Sequence, residues 1–229
     1  MIGKRRVTVI ITAAGIGERF SSKQKLPKQF IRLNNKPVIL YSLLTFQSCK
    51  LVDDIYVSSS IKYFDLVRQI AFKNKITKLC SIVVGGKTRF DSVKNVFQEI
   101  HASKNDLILI HDAARPNINR SFVEGLIKAA NKFGEVIPAL SVKDTIKKEK
   151  NNYVAETIDR NNLRLVQTPQ VFRYYVLRKS YAITRSKNFT DESSLVEKAG
   201  FKVRIVEGLQ NNVKLTNKND FELLKSVMK

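Results

Sequence analysis

The sequence predicts an α/β chain whose mostly parallel sheet is covered by helices on both faces. Three observations carry this. Apolar segments of strand length alternate with amphipathic segments of ten or more residues over the first 140 positions. The first apolar segment, VTVIIT at 7–12, is a continuous β-branched run, as a strand buried on both faces requires. Three of the predicted strands empty into segments rich in glycine or charge, at the sheet end where ligands sit in such folds.

In order, the first strand leads into Ala13, Ala14, Gly15 and Gly17 and then four cations, Arg19, Lys23, Lys25 and Lys28, with no acid after Glu18. Small side chains let backbone N–H groups approach a phosphate closely, and glycine supplies the positive φ that a concave nest of N–H groups needs. The spacing excludes a P-loop, and a dinucleotide fingerprint would need glycine where Phe20 stands. On this stretch alone, a glycine turn followed by a solvated basic loop remains an equal reading. Residues 37–47 carry helical apolar spacing, with Asn34, Asn35, Lys36 and Pro37 read as the helix start. A second strand at 54–58 precedes an amphipathic helix at 61–72, and a third strand at 80–84 ends in the turn Gly85 to Arg89. In the helix 90–100, Phe90, Val93, Val96, Phe97 and Ile100 share a face. The fourth strand, 107–110, ends in His111 and Asp112; a helix at 118–133 and a strand at 135–140 follow.

Residues 141–167 break the rhythm. Segments 142–148 and 153–158 flank a polar turn and predict a hairpin. Two strands alone are marginal, so the hairpin needs a surface to lie on, and a second subunit is one candidate. Helices at 174–184 and 192–199, strands at 202–206 and 213–216, and a closing helix at 218–227 complete the chain.

The 229 residues suffice for one domain with a sizeable core, and no Pro/Ser/Gly-rich linker divides them. No apolar run approaches bilayer-spanning length. Lys4, Arg5 and Arg6 before VTVIITAA imitate a signal peptide, but the apolar run is too short and leads straight into the glycine-rich basic segment. Cys49 and Cys80 are the only cysteines, which excludes a disulfide framework and a zinc spacing and fits a reducing cytoplasm. The formal net charge of +21 raises a nucleic-acid reading. The lysines, however, are scattered among many Asn and Ile without an arginine-rich tail or aromatic RNA motif, so we expect no nucleic-acid and no membrane partner. Acidic small molecules would still be attracted.

The motifs AAGIGERF with LPKQF, GGKTRFDSV, HDAARP, VKDTIK, TIDRNNLRLVQTPQVF, TDESSLVEKAG and NNVKLT, in that order and spacing, resemble the 2-C-methyl-D-erythritol 4-phosphate cytidylyltransferase family of the non-mevalonate isoprenoid pathway. The resemblance implies a Rossmann-like nucleotidyltransferase fold, a single domain over 1–229, and a β-arm at 141–160 that reaches a second subunit to form a homodimer. It implies CTP and 2-C-methyl-D-erythritol 4-phosphate as substrates, with Mg²⁺ bound mainly through the CTP phosphates and no dedicated protein metal ligand; Asp112 is the one carboxylate to suspect. Matched to the family's motifs, Arg19 and Lys28 act on the triphosphate, and Arg160 and Lys214 hold the attacking phosphate. Ala13, Ala14, Gly15, Gly86 and Ser92 form the base side, with Gly17 in the phosphate-holding loop, Asp112 and Arg115 the ribose and alcohol side, and Thr145, Thr168 and Thr190 the substrate side. Thr145 and Arg160 would complete the partner's site.

Plainer roles compete. His111 reads first as a strand-end histidine satisfying backbone groups, Asp112 could cap a turn, and Gly85 with Gly86 could be an ordinary turn. Arg160 and Lys214, judged locally, are surface charges. Phe20, the length of loop 21–26, Lys87 and Arg164 depart from the family pattern. A ribitol 5-phosphate cytidylyltransferase shares the glycine-rich loop, PKQF and QTPQ, but differs at HDAARP and at Thr157 to Arg160.

Overall fold

In the computed structural model, residues 5–15, 26–184 and 189–228 are described. Strand β1 (Val7–Thr12) is followed by a small hairpin, β2 (Arg32–Leu33) and β3 (Lys36–Pro37), and by α1 (Val38–Ser48). Then come β4 (Asp54–Ser59), α2 (Phe64–Lys73), β5 (Leu79–Val84), α3 (Arg89–Glu99), β6 (Leu107–Asp112), α4 (Arg120–Phe133) and β7 (Val136–Ser141). The arm is β8 (Ile146–Lys150) with β9 (Tyr153–Ile158). After it run β10 (Arg164–Val166), β11 (Gln170–Arg173), α5 (Tyr174–Ile183), α6 (Glu192–Lys198), β12 (Arg204–Glu207) and α7 (Lys218–Val227).

The main sheet runs β10-β7-β11-β6-β1-β4-β5, with β12 beside β7. β1 pairs in parallel with both β4 and β6, and every side chain of β6 is buried. Alternation along these strands separates two cores. Val7, Val9, Ile11, Leu107 and Leu109 pack with α1, α2 and α4, whereas Ile10, Ile108 and Ile110 pack with α3, α5 and α6. The chain proceeds from β1 outward through β4 and β5, then returns to place β6 on the other side of β1. Strand direction of travel thus reverses between β1 and β6, and the loops leaving their carboxyl ends diverge to open a crevice there. Caps fix the helices around it: Thr88 accepts from the Asp91 N–H at α3, Asn119 from Phe122 at α4, and Asn217 forms a reciprocal box with Asp220 at α7. Among the described residues no helix is long and apolar enough to cross a membrane.

The mostly parallel α/β architecture matches the sequence expectation, with four corrections. β11 is antiparallel and lies between β6 and β7, so the strand after α4 does not adjoin β6. Asn34 and Asn35 are not a helix start: both take left-handed φ, 45° and 66°, and form the two-residue turn of the β2–β3 hairpin. Segment 213–216 is not a strand; it is held by one backbone bond, Leu215 N–H to Ala114 O at 2.8 Å. The arm's first strand begins at Ile146, and its turn is Asn151 and Asn152, again left-handed. β8 and β9 form their own sheet, with nearly all their residues exposed.

Candidate active site

Asp112, the last residue of β6, is the centre of the crevice. Its neighbour across the switch point is Thr12, whose hydroxyl donates to Asp112 Oδ1 at 3.3 Å. The same oxygen accepts from Arg89 Nε at 2.9 Å, and Oδ2 pairs with Lys214 Nζ at 2.7 Å. Arg89 reaches on to Glu192 Oε2 through Nη1 at 2.7 Å. Burial alone would raise the Asp112 pKa, but the charges of Arg89 and Lys214 outweigh it and hold the carboxyl far below the usual range. Burial would likewise lower that of Arg89, yet Glu192 and Asp112 together raise it, so this guanidinium is permanently charged. For Glu192 burial wins, and its pKa is raised in spite of Arg89. In the sequence Arg89 stands at the end of a turn and inside the motif GGKTRFDSV, with no role assigned to it. Neither it nor Glu192 carries a local signal of its partner, because the contacts span 23 and 103 positions.

Beneath this corner lies a neutral scaffold. His111 is fully buried, and burial, opposed by the nearby Asp112, lowers its pKa to about 3. Its Nε2 faces the Arg115 carbonyl at 3.1 Å and Ser42 Oγ at 3.2 Å; its Nδ1 faces Thr168 Oγ1 at 3.0 Å. A carbonyl only accepts, so Nε2 carries the proton and Nδ1 accepts from the Thr168 hydroxyl. That hydroxyl in turn accepts the Asp112 N–H at 3.2 Å. Thr168, expected on the substrate side, therefore has its hydroxyl committed to placing Asp112. Asn212 holds the Thr168 carbonyl at 2.9 Å, and Arg115 donates to the Asn212 carbonyl at 2.8 Å. Burial lowers the pKa of Arg115, and its Nε has no partner among the described residues.

The loops after β1 and β5 meet beside this corner. A Cβ on Gly85 would lie 2.1 Å from Ala14 Cβ and 3.1 Å from Ser92 Oγ, and one on Gly86 would lie 2.2 Å from Asp91 Cβ. Both glycines are thus required by close approach. Several groups of the expected base side are already engaged: Ala13 N–H donates to Ser58 O at 2.8 Å, Gly86 N–H to Ser92 Oγ at 3.1 Å, and Ser92 Oγ to Thr88 O at 2.9 Å. Gln29, which the sequence reading had only inside LPKQF, binds the carbonyls of Ala13 and Gly15 at 2.6 and 2.9 Å and so fixes the loop's direction.

Lys28 is half-buried; burial alone would raise the pKa of the Asp220 carboxyl at the start of α7, but the hydrogen bonds from Thr216 and Asn217 and the charge of Lys28 lower it, which puts Lys28 near the segment carrying Lys214. Thr145 and Arg160 lie on the exposed arm, where Arg160 Nη1 donates to the Lys143 carbonyl. Thr190 is exposed just before Asp191, the cap of α6. Gly17 and Arg19 lie outside the described residues. Among those described, no cluster of three His, Cys, Asp or Glu suits a metal. A cavity of about 540 Å³ lined by Lys104, Tyr174, Tyr175 and Arg178 lies elsewhere, next to the amino end of β6, where Arg173 pairs with Leu107.

A sequence profile of 2-C-methyl-D-erythritol 4-phosphate cytidylyltransferase matches residues 7–229. The enzyme of that name from Geotalea uraniireducens is 36% identical over 232 residues, covering 98% of this chain and 97% of its own. A crystal structure of a 4-diphosphocytidyl-2C-methyl-D-erythritol synthase superposes with a TM-score of 0.83 at 29% identity, covering 99% of both chains. The cytidylyltransferase structure from Francisella tularensis gives a TM-score of 0.79 at 32% identity, over 96% of this chain and 99% of that one. With Gly85–Gly86, the Asp112 corner and Lys214 in one crevice, and the match running nearly end to end, this chain belongs to the 2-C-methyl-D-erythritol 4-phosphate cytidylyltransferase family.

Proposed function

We propose that the Asp112 corner is the acceptor side of a cytidylyl-transfer site and that the Ala13–Gly15 and Gly85–Ser92 loops form its base side. The carrying observation is the row Arg89–Asp112–Lys214 at the switch point, which leaves a cation at the crevice mouth. In the reaction, a phosphate oxygen of 2-C-methyl-D-erythritol 4-phosphate attacks the α-phosphorus of CTP. The bond from that phosphorus to the bridging oxygen breaks, and pyrophosphate leaves with the electron pair. The acceptor is already anionic near neutrality, so no side chain has to remove a proton. Buried His111, neutral until about pH 3, is no general base. Catalysis is positioning and charge stabilisation: Lys214 and Arg160 hold the acceptor phosphate, and Lys28 and Arg19 neutralise the triphosphate. Asp112 and Arg115 orient the ribose and the acceptor alcohol, with Thr145 and Thr190 at the acceptor's edge and Gly17 beside the phosphates.

The donor set suits a magnesium ion that arrives on the triphosphate. Both Asp112 oxygens already serve cations, and a magnesium held by phosphate oxygens needs few protein ligands. When bound, the ion would offset triphosphate charge. The whole of 1–229 acts as one domain, and the arm at 141–160 projects to a second copy. Arg160 and Thr145 are exposed on it, together with Tyr153 at 79% and Val154 at 65%, which a dimer would cover. The thiol of exposed Cys80 suits a reducing cytoplasm.

Pyrophosphate release with CTP and Mg²⁺, offering 2-C-methyl-D-erythritol 4-phosphate and ribitol 5-phosphate in parallel, tests this reading. Release with the first alone is expected. Release with the second alone would move the chain to the related cytidylyltransferase, and release with neither, together with salt-sensitive RNA retention, would revive the nucleic-acid reading.

A further inference from the structure

Four segments far apart in sequence contribute to one row of alternating charge: Glu192 opening α6, Arg89 opening α3, Asp112 ending β6, and Lys214 in the coil before α7. Side-chain exposure along it is 1%, 23%, 9% and 37%, so the row runs from a sealed carboxylate to a cation at the surface. A sealed carboxylate has no use for solvent or ligand. Glu192 serves to fix Arg89, whose planar fork divides its donors, Nε to Asp112 and Nη1 to Glu192.

We infer that Arg89, clamped by Glu192, is a positioning residue that, with the Thr12 hydroxyl, occupies one oxygen of Asp112 and so leaves Lys214 weakly enough held to be transferred to the acceptor phosphate. This rests on the reading of Lys214 as an acceptor-phosphate ligand. With Arg89 removed, the whole Asp112 charge would fall on Lys214. Both oxygens would then compete with the incoming phosphate, and the row, now two cations against two carboxylates, would be left with Lys214 alone against both carboxylates. Because Arg89 also begins the helix that follows the Gly85–Gly86 turn, it ties the nucleotide side of the crevice to the acceptor side.

The experiment is steady-state kinetics on Arg89→Gln, Arg89→Lys and Glu192→Gln, each substrate varied at saturation of the other, with urea unfolding alongside. Arg89→Gln should raise the KM for 2-C-methyl-D-erythritol 4-phosphate about tenfold or more, the scale of one charge-assisted hydrogen bond, and move the KM for CTP much less. Arg89→Lys should recover part of the loss, and Glu192→Gln should show a smaller rise of the same selectivity. An unchanged acceptor KM in Arg89→Gln, or equal rises in both KM values with a lowered unfolding midpoint and no rescue by lysine, overturns the inference. If Arg89→Gln does not fold, an unaltered acceptor KM in both Arg89→Lys and Glu192→Gln overturns it. An inactive wild type would instead overturn the functional reading beneath it.

Discussion

The carboxyl end of β6 and the β8–β9 arm each bring a threonine and a basic side chain to the proposed reaction, Thr168 with Lys214 and Thr145 with Arg160, but the fold treats them in opposite ways. Around Asp112 the groups of the proposed reaction are answered from within the chain: the Thr168 hydroxyl by His111 and Asp112, and Lys214 by Asp112. On the arm, Thr145 and Arg160 are exposed at the base of a two-stranded sheet apart from the main one, just outside its strands. One region is held by its own chain; the other leaves its groups exposed, where the proposed dimer would cover them. The difference teaches that half of the constellation can be tested as intramolecular architecture and half as assembly.

The largest effect belongs to the region held by its own chain. Lys214→Ala and Lys28→Ala are each expected to lower kcat/KM by about 10²–10³, the cost of removing one preorganised donor. Near-wild-type turnover in either folded variant would remove that lysine from its role.

Mixing tests the exposed region. If arms are exchanged, Arg160→Ala and Lys214→Ala are each nearly inactive, yet a reannealed equimolar mixture recovers about a quarter of wild-type activity, since half the dimers are mixed and each has one intact site. A mixture as silent as its components would confine the site to one chain.

A stability effect of intermediate size singles out His111. Folded, it binds a proton only near pH 3; unfolded, it does so near its ordinary value of about 6.5. The unfolded chain thus binds more protons between those values. The contribution of neutral His111 is complete above the unfolded pKa and falls away as pH drops, by roughly 2 kcal/mol at pH 5. Glu192, its pKa raised by burial, contributes in the opposite sense, losing stability as pH rises, so the quantity to read is the difference between wild type and His111→Gln. In urea unfolding the penalty of His111→Gln should shrink by about that amount between pH 7.5 and 5. A pH-independent penalty would mean that folding leaves the His111 pKa unshifted, and a penalty that grows as pH falls would mean that the folded chain holds the imidazole protonated.

The smallest effect falls on the arm's own ladder. Lys148 and Glu156 pair at 3.7 Å with both side chains more than half exposed, so Lys148→Ala should change unfolding stability by less than about 0.5 kcal/mol. A larger loss would show that the arm is packed against something.

What could be read in advance follows from what is local. β1 and β6 announced themselves as apolar runs, because a strand buried on both faces has no polar side. The loaded strand ends at Gly85 to Ser92 and His111 to Arg115 were legible because glycine and charge interrupt such a run where the chain leaves the sheet. β11 was not legible. Gln170 to Arg173 is four residues with a buried glutamine, and its antiparallel insertion between β6 and β7 depends on strands drawn from elsewhere in the chain. Lys214 read as a surface charge on its own, and only motif order promoted it.

By itself the sequence determined the alternation of strands and helices, the two apolar faces of β1, and the residue types able to hold phosphate, since periodicity and side-chain chemistry are properties of neighbouring positions. The tertiary structure alone decided that Arg89 and Lys214 share one carboxylate, that Thr168 and His111 serve to hold it, and that Gln29 fixes the first loop. These are contacts between segments that only the closing of the sheet around β1 and β6 brings within hydrogen-bonding distance.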